Sequence, residues 1–168
     1  MATMKLDGFP EELVNLLQDH LDRYLATDGE EGYLFDATSV GGQGMVTTLI
    51  LRTIGRKSGR ELVLPLIFGE SGGNLVVVAS KGGAPQHPAW FLNLQANPAV
   101  DVQIKAEKFK ARARVAEGEE RAQLWRMMVG LYSPYVDYQK ATQREIPVVV
   151  LERMREVRSE GGQSSSQL

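Results

Sequence analysis

The stretch TIGRKSGRELVLP, residues 53–65, decides the fold that we expect for this chain. Apolar residues at both ends are typical of β-strands, and the polar centre is short enough to be a tight turn. Gly59 supplies the positive φ that such a turn usually needs. The stretch therefore predicts a hairpin whose tip carries three cations and a serine: Arg56, Lys57, Ser58 and Arg60.

A second stretch, VVVASKGG at residues 76–83, follows one strand later. It ends a buried strand at Ser80 and continues into Lys81 and two glycines, where backbone amides can face a ligand without interference from Cβ atoms. Two cationic, glycine-containing corners beside apolar strands indicate a groove for an anionic ligand with a flat, apolar head.

Length and composition exclude several kinds of chemistry. A chain of 168 residues is expected to form one domain with a core of its own. The absence of cysteine excludes thiol catalysis, disulfides, cysteine-ligated zinc and iron–sulfur clusters. His20 and His87 are the two histidines of the chain, and we expect no metal site. The sequence shows neither a signal peptide nor a long apolar run, so we expect a cytoplasmic protein with no integral membrane segment.

The net charge of −2 conceals an uneven distribution. Residues 45–115 hold ten Lys/Arg and four Asp/Glu, a local charge of +6, so the remainder of the chain carries −8. A basic middle in an acidic chain favours a small anionic ligand over nucleic acid, because the acidic flanks would repel an extended polyanion.

Alternation of apolar and polar residues predicts a mostly β protein with flanking helices, in the α+β class. Short hairpin turns indicate antiparallel pairing, and six short strands suggest a small barrel. The predicted strands span residues 46–54, 61–68, 74–80, 99–105, 108–115 and 146–152.

An amphipathic helix is predicted over residues 10–28, and its acidic polar face favours packing on the domain over lipid binding. His20, near its apolar edge, is interpreted as a packing histidine. Further helices are expected at 87–98, from about Gly118, and after Ser133. The remaining divisions are a flexible leader (1–9), a loop (29–44) inside the barrel domain (29–158), and a disordered tail (159–168).

Several motifs in this order resemble the deazaflavin-dependent nitroreductase family over residues 45–152. The motifs are GRKSG (55–59), Pro65, ASKGG (79–83), HPAWFLNLQANP (87–98) and YSPYVDYQ (132–139). The resemblance implies a six-stranded antiparallel split β-barrel of the FMN-binding-like type. It also implies that reduced coenzyme F420, a deazaflavin, delivers hydride to a quinone, an activated alkene or a nitroaromatic compound.

The resemblance also implies a binding site. The coenzyme has a planar ring system and a tail with a phosphodiester and several glutamates. Cations of the turn would hold the tail, and apolar residues would line the ring slot. The implied coenzyme-binding residues are Arg56, Lys57, Ser58, Arg60, Pro65, Ala79, Ser80, Lys81, Trp90 and Asn93. The chain departs from the pattern at Leu62, where we expect some relatives to have another basic residue.

Hydride delivery builds negative charge on an oxygen of the acceptor, which requires hydrogen-bond donors. The candidate catalytic residues are Ser80, Tyr132, Tyr135 and Tyr138, with Tyr135 as the first choice. Either a tyrosine hydroxyl or water would give the proton.

Three alternatives remain open from the sequence. The chain could be a related barrel that uses FMN, a non-catalytic carrier of a flat anionic ligand such as haem, or a nucleic-acid-binding barrel. The last is disfavoured because no aromatic residues interleave the basic strand 108–114. We expect a monomer that acts on a small-molecule hydride acceptor, with a weak dimer left open.

Overall fold

Eight antiparallel strands form one sheet that curls into a split barrel in the computed structural model, which describes residues 9–154. The sheet order is β1-β2-β6-β7-β8-β5-β4, with β3 paired to β2. The strands are β1 (Leu34–Asp36), β2 (Met45–Ile54), β3 (Glu61–Ile67), β4 (Gly69–Ser71), β5 (Asn74–Val78), β6 (Ala99–Ile104), β7 (Glu107–Val115) and β8 (Val148–Arg153). The predicted tail and nearly all of the predicted leader lie outside the described residues.

Four α-helices of the described part of the chain flank the sheet: α1 (Glu11–Thr27), α2 (Ala89–Ala96), α3 (Gly118–Leu131) and α4 (Pro134–Lys140). The first packs on the barrel, as predicted, because Leu21 and Tyr24 are fully buried. The Tyr24 hydroxyl donates to the Thr48 carbonyl at 2.9 Å and accepts from the Lys105 amide at 2.9 Å. No helix within residues 9–154 combines the length and the apolar character needed to cross a membrane.

The predicted strand count of six is wrong, since two strands of three residues each were missed. Strand β1 lies in the segment predicted to be a loop, and β4 precedes the glycine pair Gly72–Gly73. Both glycines have positive φ, 59° and 85°, and turn β4 back onto β5. Strands this short, in glycine-rich surroundings, do not show the alternation on which the sequence prediction depends.

Strands β5 and β8 separate two hydrophobic clusters. Val77 and Val149 face the cluster inside the barrel, whereas Val76 and Val150 face the cluster formed with α3 and α4. All four side chains are at most 2% exposed. The prediction that these two apolar runs are buried on both sides is confirmed.

The outer face of β7 carries four alternating cations, two of which form ion pairs with described residues. The Lys110 ammonium lies 2.9 Å from Asp101 of the neighbouring strand. The Arg114 guanidinium contacts Glu120 at 2.7 Å and Glu152 at 2.8 Å. Much of the positive charge on this face is therefore balanced by neighbouring carboxylates.

Strand β3 leaves one edge of the barrel open, since it pairs with β2 alone among the described strands. The Gly55 amide donates to the Arg60 carbonyl at 2.7 Å, and the Phe68 amide donates to the Thr47 carbonyl at 3.1 Å. The even-numbered residues of β3 thus bond to β2, and the odd-numbered ones point their backbone groups away from it. Pro65 is in the odd set and has no N–H to offer there.

Candidate functional site

A cavity of about 1210 Å³ runs along the open edge of β3. Its other walls come from the segment after β5, from the start of α2, from the tyrosines of the α4 region and from α1. The cavity brings together every predicted site residue except Ala79. These residues are Arg56, Lys57, Ser58, Arg60, Pro65, Ser80, Lys81, Trp90, Asn93, Tyr132, Tyr135 and Tyr138.

The turn between β2 and β3 forms one end of the cavity. Gly59 has a φ of 73°, as predicted, and its amide donates to the Gly55 carbonyl at 2.9 Å. The Ser58 hydroxyl accepts a hydrogen bond from the Arg60 amide at 3.1 Å. Ser58 thus helps to close the turn. The backbone of the turn, from which the Arg56 side chain extends, is therefore held in one conformation.

Asn93 anchors this turn to α2. The side chain is only 3% exposed, and its Oδ1 accepts from the backbone amide of Arg56 at 3.1 Å and from Arg56 Nη1 at 3.3 Å. Its Nδ2 donates to the Thr53 hydroxyl at 3.1 Å. The amide that the sequence suggested as a ligand contact therefore bonds to the turn, where it positions the Arg56 guanidinium.

The glycine corner after β5 has a left-handed backbone at three successive residues: Lys81 (φ 47°), Gly82 (φ 64°) and Gly83 (φ 85°). A Cβ atom on Gly83 would lie 2.7 Å from the Tyr138 carbonyl, so glycine is needed for the close approach of α4. The Gly83 amide donates to the Ser80 carbonyl at 2.9 Å, which leaves it unavailable to a ligand.

Arg144, which the sequence analysis did not single out, supports this corner from behind. Its Nη2 donates to the Ser80 carbonyl at 2.7 Å, its Nε to the Ala84 carbonyl at 2.9 Å, and its Nη1 to the Ala79 carbonyl at 3.3 Å. Ala79 itself is fully buried behind the cavity wall. Burial lowers the pKa of Arg144. Its loop, between α4 and β8, has no periodicity that could have indicated this role.

Two tyrosine hydroxyls of the cavity are already engaged. The Tyr132 hydroxyl donates to the Val40 carbonyl at 3.1 Å and lies 2.8 Å from the Tyr138 hydroxyl. Because Tyr132 donates its single hydroxyl proton to the Val40 carbonyl, the Tyr138 hydroxyl is the donor in the bond between the two tyrosines. Burial raises the pKa of Tyr132.

Tyr135 differs from these two tyrosines. The residue is 4% exposed, and its ring packs edge-on against Tyr132 with a centroid distance of 4.9 Å. Its hydroxyl has no hydrogen-bond partner among residues 9–154. Burial raises the pKa of Tyr135, so the hydroxyl keeps its proton at neutral pH and remains available as a donor.

The cations at the turn and at the glycine corner lack anionic partners among the described residues. No ion pair involves Arg56, Lys57 or Lys81 in the part of the chain that the structure describes, although Arg52 nearby contacts Glu61 at 3.2 Å. Pro65 and the nearly buried Trp90 supply apolar surface in the same cavity. This set of groups fits a ligand with an acidic tail and a flat, apolar head.

The comparisons with known proteins agree with this fit. The family model described as F420H(2)-dependent quinone reductase matches residues 16–153. An F420H(2)-dependent quinone reductase of Mycobacterium tuberculosis is 34% identical over 143 residues, which cover 83% of this chain and 91% of the relative.

Two solved structures are similar in sequence and in fold. An F420-H2 dependent reductase is 43% identical, with a TM-score of 0.58, over 62% of this chain and 93% of that one. A protein described as a domain-swapped dimer is 37% identical, with a TM-score of 0.61, over 80% of this chain and 96% of that one. The resemblance to deazaflavin-dependent reductases is confirmed, and the chain belongs to the F420H(2)-dependent quinone reductase family.

Proposed function

We propose that this protein reduces a quinone with reduced F420 as the hydride donor. The family membership supports both the donor and the class of acceptor. The observation that carries the proposal is the combination, in one cavity, of an apolar wall, cations that pair with no described carboxylate, and a tyrosine hydroxyl that bonds to no described residue. Each of these corresponds to one requirement of the reaction.

The residues around the cavity divide by the part of the coenzyme that they would hold. Arg56, Lys57 and Lys81 would bind the phosphate and the carboxylates of the tail, with Arg60 adding positive charge and Ser58 shaping the turn. Charge-assisted hydrogen bonds of this type contribute about 1.5–3 kcal/mol each.

Pro65 and Trp90 would flank the flat ring, with Ser80 at the end of the slot. Ala79 would act only through the backbone, since its side chain is buried behind the wall. When bound, reduced F420 supplies a hydride from C5. The contribution of the protein is to orient the two reactants and to exclude water from between them.

Tyr135 would donate a hydrogen bond to the quinone, the hydride acceptor. A quinone becomes a hydroquinone by gaining a hydride and a proton, and negative charge develops on a quinone oxygen as the hydride arrives. A neutral hydroxyl donor stabilises that charge, and the raised pKa of Tyr135 keeps the donor protonated. Either Tyr135 or water completes the reaction by giving the proton.

Tyr132 and Tyr138 would shape this part of the cavity. The Tyr132 hydroxyl is bonded to Val40 and Tyr138, so it offers no free proton to an acceptor. Removal of the Tyr132 hydroxyl should therefore affect the packing around the ring more than the rate of the reaction. Tyr132→Phe is a matched control for Tyr135→Phe, because both substitutions remove one hydroxyl from a buried ring.

The test is an anaerobic assay that mixes the protein, reduced F420 and a panel of quinones, nitroaromatics and enones. We expect the absorbance of oxidised F420 to grow only with protein and acceptor present, and fastest with quinones. Tyr135→Phe should lower kcat about 10- to 100-fold with unchanged coenzyme affinity, and Tyr132→Phe should lower it much less. Coenzyme binding without turnover on any acceptor would contradict the proposal and favour a carrier.

Oligomeric state and cellular location stay predictions. The monomer expected from the sequence competes with a dimer, because a relative of 37% identity is described as a domain-swapped dimer. Sedimentation of the purified protein with and without F420 decides between them. A cytoplasmic location is to be tested by fractionation of cells that produce the full chain.

A further inference from the structure

We propose that His87 is a ligand-contacting residue, which donates a hydrogen bond from Nε2–H to an oxygen of the bound coenzyme, and that Arg144 positions it. The inference rests on the proposed function in one respect, the identity of the ligand. The state of the His87 ring follows from the protein alone. Nothing in the sequence assigned a role to either residue.

Arg144 fixes the tautomer of His87. Arg144 Nη1 lies 3.0 Å from His87 Nδ1. A guanidinium can only donate, so Nδ1 must accept and cannot carry a proton in this pair. The neutral ring therefore has its proton on Nε2, which makes that nitrogen a donor.

The position of the ring directs this donor to the cavity. His87 lines the cavity, whereas Arg144 does not. The ring packs against Phe91 at a centroid distance of 4.8 Å, which limits its rotation. Because Nδ1 faces Arg144, behind the wall, Nε2 lies on the side of the ring away from Arg144. Within residues 9–154 no group accepts a hydrogen bond from it.

The surroundings of His87 favour a neutral donor over a cation. Burial, and after it the charge of Arg144, lower the pKa of His87. Arg144 itself forms no ion pair with a described carboxylate that could offset this effect. His87 is therefore an uncharged imidazole at neutral pH, and its contribution to binding is a directed hydrogen bond.

His87 also lies in the cavity wall near the start of α2, on the path of a ligand that extends to Arg56. It lies two residues before the start of α2, and Asn93, which holds Arg56, follows about one turn along that helix. Lys81 lines the same cavity from the glycine corner. A ligand with an acidic tail directed at Arg56 would thus pass the start of α2, where the oxygens of a phosphate, a carboxylate or a ring carbonyl can accept from Nε2–H.

Two substitutions separate a ligand contact from a purely structural role. In His87→Gln the side-chain amide nitrogen can reach the place of Nε2, so the donor to the ligand is kept. In His87→Asn the shorter amide oxygen can reach the place of Nδ1, so the bond from Arg144 is kept and the donor is lost. We expect Kd for oxidised F420, measured by fluorescence titration, to rise about tenfold in His87→Asn and less than threefold in His87→Gln.

The opposite order, or equal affinities in both variants, would overturn the assignment of His87 as a ligand contact. A third variant, Arg144→Lys, keeps a donor for Nδ1 and should retain more affinity than Arg144→Met. If the wild-type protein does not bind F420 at all, the proposed function fails together with the coenzyme contact. Binding by the wild type with a reversed order refutes only the role of His87.

A measurement on the ligand-free protein tests the ring state independently. The chain has two histidines, so ¹⁵N spectra of the imidazole rings contain few signals, and His87→Asn assigns those of His87. We expect an unprotonated Nδ1 and a protonated Nε2 at pH 7. A proton on Nδ1 would contradict the inference whatever the protein binds.

Discussion

Two cationic regions of this molecule look alike in sequence and differ in what surrounds them. The turn between β2 and β3 and the outer face of β7 both place several Lys and Arg side chains on a β-hairpin. On β7, Lys110 and Arg114 contact carboxylates at 2.9 Å or less. At the turn, Arg56 and Lys57 form no ion pair with any described residue.

The difference teaches that the arrangement of the carboxylates, and not the number of cations, identifies a site for an anion. On β7 the partner strands supply acids, and Arg112 lies directly opposite Glu152. Lys108 and Arg112 show that the rule has exceptions, since neither forms an ion pair with a described residue although both lie on the same face. At the turn the nearest support is the neutral amide of Asn93, which fixes the geometry without cancelling the charge.

The largest effect should come from removing the charge of the turn. We expect Arg56→Ala with Lys57→Ala to raise Kd for F420 about 100-fold or more, because two charge-assisted hydrogen bonds are lost. The turnover rate at saturating coenzyme should fall much less. A fluorescence titration at several salt concentrations gives Kd, and the dependence of Kd on salt should be weaker in the variant.

The matched control for this variant is Lys108→Ala with Lys110→Ala, which removes the same number of charges from β7. Both side chains are exposed, and we expect less than a twofold change in Kd. Equal losses of affinity in the two double variants would show that overall charge, and not the turn, attracts the coenzyme.

A smaller effect should follow from removing the support of the turn without changing its charge. Asn93→Ala deletes the partner of the Arg56 amide and of the Thr53 hydroxyl. We expect the free energy of unfolding to fall by about 2–3 kcal/mol, because these groups lose their hydrogen bonds in a buried place. Kd for F420 should rise about tenfold, since the Arg56 side chain is no longer held in position.

Asn97→Ala is the control for that substitution. Its side chain is exposed and accepts only the Ala99 amide, at 3.3 Å. Chemical denaturation and coenzyme titration should both give values near those of the wild type. If Asn93→Ala bound F420 as tightly as the wild type, the turn would not need to be fixed in order to bind.

The smallest effect concerns pH. Burial is the main cause that lowers the pKa of both His20 and His87 from the ordinary value of 6.5. As the pH falls below 6.5, the unfolded chain therefore takes up protons before the folded one does, and the stability present above pH 6.5 is progressively lost. We expect Tm to fall between pH 7 and pH 5 and to fall less in His87→Asn. A Tm that stays constant over this pH range would contradict the lowered pKa values of the two histidines.

Much of the fold and part of the site could be predicted from the sequence because the signals are local. The turn glycine, the alternation along β6 and β7 and the apolar runs of β5 and β8 depend on neighbours in the chain. The site residues taken from the family motifs line one cavity, with Ala79 behind its wall, and their roles in binding and catalysis stay predictions. Only the resemblance, and no physical pattern, could name the coenzyme.

The contacts that the sequence could not give connect distant segments. Arg144 reaches the Ser80 carbonyl across 64 residues, and nothing near it in the chain marks it as a support. The sequence could not distinguish Tyr135 from Tyr132 by hydrogen bonding either, because the partner of Tyr132 is the backbone of Val40, 92 residues away. Such pairings depend on how the helices meet the sheet.

Pro65 has a further consequence for the behaviour of the chain in concentrated solution. An uncovered β-strand invites the strands of other molecules to add to it, which is a common route to aggregation. The cavity runs along the edge of β3 that no described strand pairs with, so a further strand there would compete with the ligand for this edge. The missing N–H of the proline interrupts the row of donors on which an incoming strand would depend. Replacement of Pro65 by another apolar residue would thus put solubility at risk as well as alter the wall of the cavity.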